Sequence, residues 1–142
     1  MKPSIWLRIA SILTLIHAVL HTVGGMFGDP RNAEQAAARS IVQSHQFDAF
    51  GSTRSYWDFY FGFGLVTSVT LLLLAVLLWQ LSSLVKTDPA KARPFIAMLF
   101  VAFIALAVIS WAYFFAPPFV FELIIAACIG VAFVTVGTKA NT

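Results

Sequence analysis

Charge is scarce in this sequence, and cysteine scarcer still. Asp, Glu, Lys and Arg make up only 11% of the 142 residues, while 60% are hydrophobic. A water-soluble domain of this length needs far more polar surface, so that class is excluded. Cys128 is the single cysteine, which excludes an internal disulfide, a cysteine-based zinc site and an iron–sulfur cluster. It reads as a small apolar residue of a helix. Repeats and low-complexity stretches are also lacking. The net charge of +3 does not point to nucleic acid, because the basic residues flank apolar runs as they do in membrane proteins.

Those apolar runs are the main content of the chain. Uncharged stretches cover 9–28, 59–85, 94–121 and 123–138, and a membrane-spanning helix requires about 20 mostly apolar residues. Three qualify directly, and the last does once it starts at Phe119 and takes in Glu122. The predicted fold class is therefore all-α: a polytopic membrane protein with one four-helix transmembrane bundle over 1–142. Its spans are placed at about 5–27, 55–84, 95–115 and 119–137. The first run is too long for a signal-peptide core, carries two histidines and lacks a small-x-small cleavage site, so it reads as a retained helix.

Between the spans, Asn32 followed by Gln35 resembles a capping box, and Ala36-Ala37-Ala38 favours helix. The 32–50 segment is thus either a short amphipathic helix, on the membrane or over the bundle mouth as a lid, or a surface loop. Asp88-Pro89 suits the N-cap and first position of the third span. Pro117-Pro118 is expected to form a tight turn before the fourth. Lys2, Arg8, Lys86, Lys91, Arg93 and Lys139 fall on one side of this threading, and Arg31, Arg39 and Arg54 on the other. The positive-inside rule then puts both termini in the cytoplasm of a plasma (inner) membrane protein. Trp6 and Trp79 sit near the inner interface, and Trp57, Trp111 and Tyr113 near the outer one.

Four ionisable residues lie inside or at the mouth of the spans: His17, His21, Asp58 and Glu122. Such groups are costly in hydrocarbon and usually mark a functional site. At about 1.5 Å per residue, all four fall in the outer half of the bilayer. Thr14, His17, His21 and Gly28 recur at helical spacing on one stripe, and Glu122, Ala126 and Gly130 on another. Arg54 and Asp58 are read as i,i+4 neighbours at the head of span two.

Three chemistries suit this set. In the first, His17, His21, Asp58 and Glu122 are candidate catalytic residues for acid–base work, pairing a histidine that titrates near neutrality with a buried carboxylate. The second is a transition metal held by His17 and His21, completed by Asp58 or Glu122. H-x-x-x-H lacks the glutamate of H-E-x-x-H, so this signal is weak. The third is binding without turnover of a lipid, quinone or small amphiphile. Haem through His17 or His21 lacks an opposing histidine in the other spans, and a conducting path lacks ionisable residues in the inner half. Each candidate also has a plain structural reading. Arg54 with Asp58 could be a headgroup-level ion pair, Glu122 could favour a helix N-terminus, and His17 could make one interhelical hydrogen bond. His45 reads as a loop residue.

The stretch Arg54-Ser55-Tyr56-Trp57-Asp58-Phe59-Tyr60-Phe61-Gly62-Phe63-Gly64, with His17 and the Ala92-Arg93-Pro94 turn, resembles a group of small four-span bacterial membrane proteins of unassigned activity. The likeness covers essentially the whole chain and implies fold and location. Size and layout are also similar to DoxX-like four-helix membrane proteins. Intramembrane acids and histidines are similar to those of emopamil-binding sterol isomerases, with no shared motif that carries residues over.

The sequence thus predicts a polar pocket facing the outer leaflet for a small hydrophobic or lipid-like ligand. His17, His21, Asp58 and Glu122 line it, and Arg54 orients Asp58 or binds an anionic group. Trp57, Tyr60, Ser110, Trp111 and Tyr113 supply the ligand-binding walls. No cofactor is required, with a metal at His17/His21 as the alternative. The expected partners are the lipid bilayer and the ligand, with no nucleic acid and self-association into a homo-oligomer left open. A purely structural or partner-binding subunit is the third reading.

Overall fold

A computed structural model describes residues 2–137 of the chain; Lys139, counted above for orientation, lies outside them. The element order is α1 (Pro3–Leu20), a π-helical stretch (His21–Met26), α2 (Ala33–Ser44), β1 (Gln46–Ala49), β2 (Ser52–Ser55), α3 (Tyr56–Thr87), α4 (Pro89–Tyr113) and α5 (Ala116–Gly137). Four stretches are long and apolar enough to cross a membrane: Pro3–Met26, Tyr56–Thr87, Pro89–Tyr113 and Ala116–Val136. The chain is therefore an all-α, multi-pass membrane protein with one small two-stranded sheet.

The described residues fall into two compact units, 2–17 with 71–137, and Ala18–Thr70. In the first, α1, the second half of α3, α4 and α5 share one core. Buried positions recur at helical spacing, as Leu71, Ala75, Leu78, Leu81 and Val85 on α3 and Ile96, Leu99, Phe103 and Ala107 on α4. Leu72, Val76, Met98, Val101 and Val108, between them, are exposed and apolar. That outward face suits acyl chains and would be polar in a soluble bundle. Lipid is as apolar as leucine, so helix association rests on close packing and hydrogen bonds. Small residues at Ala10, Ala92, Ala126 and Ala132 provide the first. The Ser11 hydroxyl donates to the Ala75 carbonyl at 2.7 Å, tying α1 to α3.

The helix junctions differ from expectation, and each for a backbone reason. Span two runs on to Thr87 and span three starts at Pro89, so Asp88 alone separates them. Its carboxylate accepts the Lys91 amide at 3.0 Å, as an N-cap does, and Pro89 takes the first helical position. At the next junction the turn is made by Phe114 and Phe115. Pro117 and Pro118, expected to form that turn, instead open α5. A first helical turn has amides with no intrahelical acceptor, so a residue lacking an N–H costs nothing there.

The second unit holds two surprises. The first span leaves α-helical geometry at His21, and the Phe27 amide donates to Thr22 five residues back. Gly24 and Gly25 lie within this widened stretch, and the Thr22 hydroxyl donates back to the Ala18 carbonyl at 2.7 Å. The 32–50 segment forms the amphipathic helix and then a hairpin that was not anticipated. Asn32 caps α2 by accepting the Gln35 amide, and Gln35 Oε1 accepts the Arg31 amide. Phe50 and Gly51 then turn with φ of 53° and 81°, the pair of positive values a tight two-residue hairpin needs. Phe47 fixes the hairpin by stacking on Phe59 at 6.0 Å and packing at a tilt against Tyr56 at 4.9 Å.

Two outcomes follow. Asp88 is held below the ordinary aspartate range, first by the Lys91 amide it accepts and then by the Lys91 ammonium 3.0 Å away. A lowered folded value means that its stabilising contribution is complete above the unfolded value of about 3.9. It is lost as pH falls through the lower folded value. Thermal melting in detergent across that acid window is expected to fall in the wild type, with the slope reduced in Asp88→Asn, which keeps a capping oxygen without the charge. In the second unit, a side chain at Gly64 would collide with the buried Met26 thioether. Gly64→Val is expected to destabilise by about 1–3 kcal/mol, and Met26→Ala in the same chain to restore most of it; additive losses would contradict that contact.

Candidate functional site

The ten candidate residues divide between the two units. In the first unit, Glu122 sits in the second turn of α5, on the stripe continued by Ile125, Ala126 and Ile129 into the core. Glu122 and Ser110 are each 5% exposed and His17 is 7% exposed. The His17 ring stacks on Phe121 with centroids 5.3 Å apart and planes inclined by 27°. Ser110, on α4, is the hydroxyl beside the Glu122 carboxyl. Glu122 Oε2 is nonetheless buried with no hydrogen-bond partner among the described residues. A buried acceptor left unsatisfied costs about 1–3 kcal/mol, more when charged, so this oxygen is the feature of the first unit least explained by folding alone.

Trp111 and Tyr113 do not share that interior. They are 73% and 80% exposed: Trp111 is one residue round the helix from the inward-facing Ser110, and Tyr113 is the last residue of α4. Trp111 packs instead on Phe119 at 5.1 Å. Exposed aromatics at the end of a span suit the membrane interface, and neither shares the burial of Glu122 and Ser110.

In the second unit, His21 and Asp58 are both engaged in structural work. His21 Nε2 is 3.1 Å from the Gly64 carbonyl, which accepts from it and, also at 3.1 Å, from the Ser68 hydroxyl. Thr22 Oγ1 lies 2.9 Å from Ser68 Oγ. His21 is thus part of a polar seam between the π-helical stretch and α3. Asp58 forms a reciprocal cap with Ser55: its Oδ2 accepts the Ser55 amide at 2.7 Å and the Ser55 hydroxyl at 2.9 Å, and Ser55 Oγ accepts the Asp58 amide at 3.2 Å. This is a capping box, and Ser55-Tyr56-Trp57-Asp58 carried its signature unnoticed.

Arg54 is not the helical i,i+4 neighbour of Asp58 that was expected. It lies on β2, and its Nη1 donates to the Thr53 carbonyl at 2.8 Å. Ser55, not Arg54, orients Asp58. Lys91–Asp88 is the ion pair found among the described residues. Trp57 is half-buried beneath Arg39, whose guanidinium carbon is 4.3 Å from the ring centroid, while Tyr60 is 56% exposed. Arg39 also donates to the Gly28 carbonyl at 3.4 Å, so it ties α2 to the chain on both sides, a role with no local sequence signal. His45 lies at the end of α2, with Nδ1 3.1 Å from the Ile41 carbonyl.

Among the described residues, no three His, Cys, Asp or Glu side chains gather in a way that could hold a metal ion. No family model, curated protein or solved structure matches the chain. Its class is the one its own fold defines, a multi-pass all-α membrane protein.

If Glu122 is kept for something other than packing, an apolar residue of similar length should be tolerated there. Glu122→Met is expected to leave stability within about 1 kcal/mol of wild type or raise it, whereas Ile125→Ala, fully buried close by, should cost about 2–5 kcal/mol. Equal losses in a reversible unfolding assay would make the carboxyl a structural group.

Proposed function

We propose that this is a plasma-membrane protein with both termini in the cytoplasm that takes a small hydrophobic or lipid-like ligand against Glu122. The observation that carries the reading is the buried Glu122 Oε2 with no hydrogen-bond partner among the described residues. A ligand that brings a hydroxyl or amine donor satisfies that acceptor, and an apolar body suits the surrounding core. The buried His17 in the same unit supplies a second titratable group. A carboxyl and an imidazole together provide the two partners that proton transfer to or from a bound ligand requires. The bias of lysine and arginine supports the orientation. The likeness of the 54–64 stretch to small four-span bacterial proteins supports a bacterial inner membrane.

The test is a comparison of co-purifying small molecules. Wild type, Glu122→Gln and His17→Leu are purified from native membranes and their apolar extracts compared by mass spectrometry, alongside thermal melting. An apolar species bearing a hydroxyl or amine is expected in wild type and depleted about tenfold or more in Glu122→Gln, as one lost buried charge-assisted hydrogen bond requires. Its melting should remain near that of wild type. Identical extracts with lowered melting in both variants would assign His17 and Glu122 to structural pairing instead.

A further inference from the structure

A second feature, in the Ala18–Thr70 unit and independent of Glu122, has the character of a binding site. A shallow groove of about 290 Å³ runs along the outer turns of α3, lined by Arg54, Asp58, Phe59, Gly62, Phe63 and Val66. Its two ends differ in chemistry. At the head stand one cation and one anion that make no ion pair with each other. Arg54 spends one donor on the Thr53 carbonyl and keeps the rest of its five-donor fork. Asp58 accepts its capping bonds on Oδ2, so Oδ1 takes no part in the cap.

Below them the groove is wholly apolar. Phe59, Gly62, Phe63 and Val66 follow at spacings of four and three on one face of the span. Phe59 is braced by Phe47 on one side and stands 6.5 Å from Phe63 on the other. Gly62 lines the groove, and a Cβ built there meets nothing within 4 Å, so the space above it is open.

We infer that this groove binds one phospholipid with a primary-amine headgroup, phosphate on Arg54, ammonium on Asp58 and an acyl chain over Gly62. The charges decide the headgroup. Arginine alone would favour any anionic lipid, but a carboxylate beside it opposes added negative charge and rewards an ammonium. A choline headgroup has the charge but no N–H to give Asp58. The position suits the occupant, because the polar pair lies at the start of a membrane-length helix and the apolar face runs into it.

The full-length protein in nanodiscs of dioleoyl-phosphatidylcholine, doped equally with the ethanolamine and glycerol lipids, would be released into native mass spectrometry. One phosphatidylethanolamine per chain is expected, retained about tenfold over either competitor. Arg54→Gln should lower that retention about fivefold. Gly62→Leu fills the notch without displacing a neighbour, so it should abolish retention while melting stays unchanged. Asp58→Asn should erase the preference over phosphatidylcholine. Because Asp58 also caps α3, Gly62→Leu decides the matter if Asp58→Asn misfolds. Equal retention of all three lipids, preference for phosphatidylglycerol, or undiminished retention in Gly62→Leu would each overturn the inference.

Discussion

A polar group inside a bilayer must find its partner within the protein, because hydrocarbon offers none. The rest of this structure depends on that constraint. Backbone groups meet it by forming helices, which is why four long apolar stretches become four membrane-length helices. Side-chain hydroxyls meet it by bonding back to the carbonyl four residues before, as Thr14, Thr67, Thr70 and Thr135 do. Ser11 meets it across helices by reaching the Ala75 carbonyl. His21, Thr22 and Ser68 meet it together around the Gly64 carbonyl.

Against that background the few polar atoms that do not comply acquire meaning. Glu122 Oε2 is one, buried and unmatched among the described residues. Arg54 and Asp58 are a different case: each is hydrogen-bonded within the chain, and together they place opposite charges at one groove. The two cases need different partners. An interior carboxyl asks for a donor small enough to enter a packed core. A zwitterionic groove head at the end of a span fits a lipid headgroup. Asp58 caps α3 through one carboxylate oxygen and leaves the other outside the cap.

Structural roles were the harder ones to foresee. The Ser55–Asp58 capping box is written in four consecutive residues, beside an Arg54 whose spacing to Asp58 also matches a helical ion pair. Arg54 lies on a hairpin strand and not on the helix that its spacing to Asp58 suggests. The hairpin turn is Phe50-Gly51, where the sequence cue for a positive-φ pair is ordinarily Asn-Gly or Asp-Gly, and its strands are four residues each. For Trp111 and Tyr113 the sequence carries depth and no facing direction. Depth is readable by counting residues, but the direction of a side chain depends on which face its helix buries.

The sequence by itself determined the class of protein, the number of spans, the cap at Asp88 and the placement of Glu122 and His17 within membrane-length runs. Each of these follows from local chemistry: apolar length, a capping oxygen beside a proline, and an ionisable group within a hydrocarbon-length run. Only the tertiary structure decided which polar groups are matched. His21 became a strut because the Gly64 carbonyl lies within hydrogen-bond reach of it, and Asp58 became a cap because the chain arrives as a strand ending at Ser55. Glu122 alone of the four intramembrane candidates keeps a buried oxygen that folding does not account for. That distinction depends on which helix faces meet, and a one-dimensional pattern does not contain it.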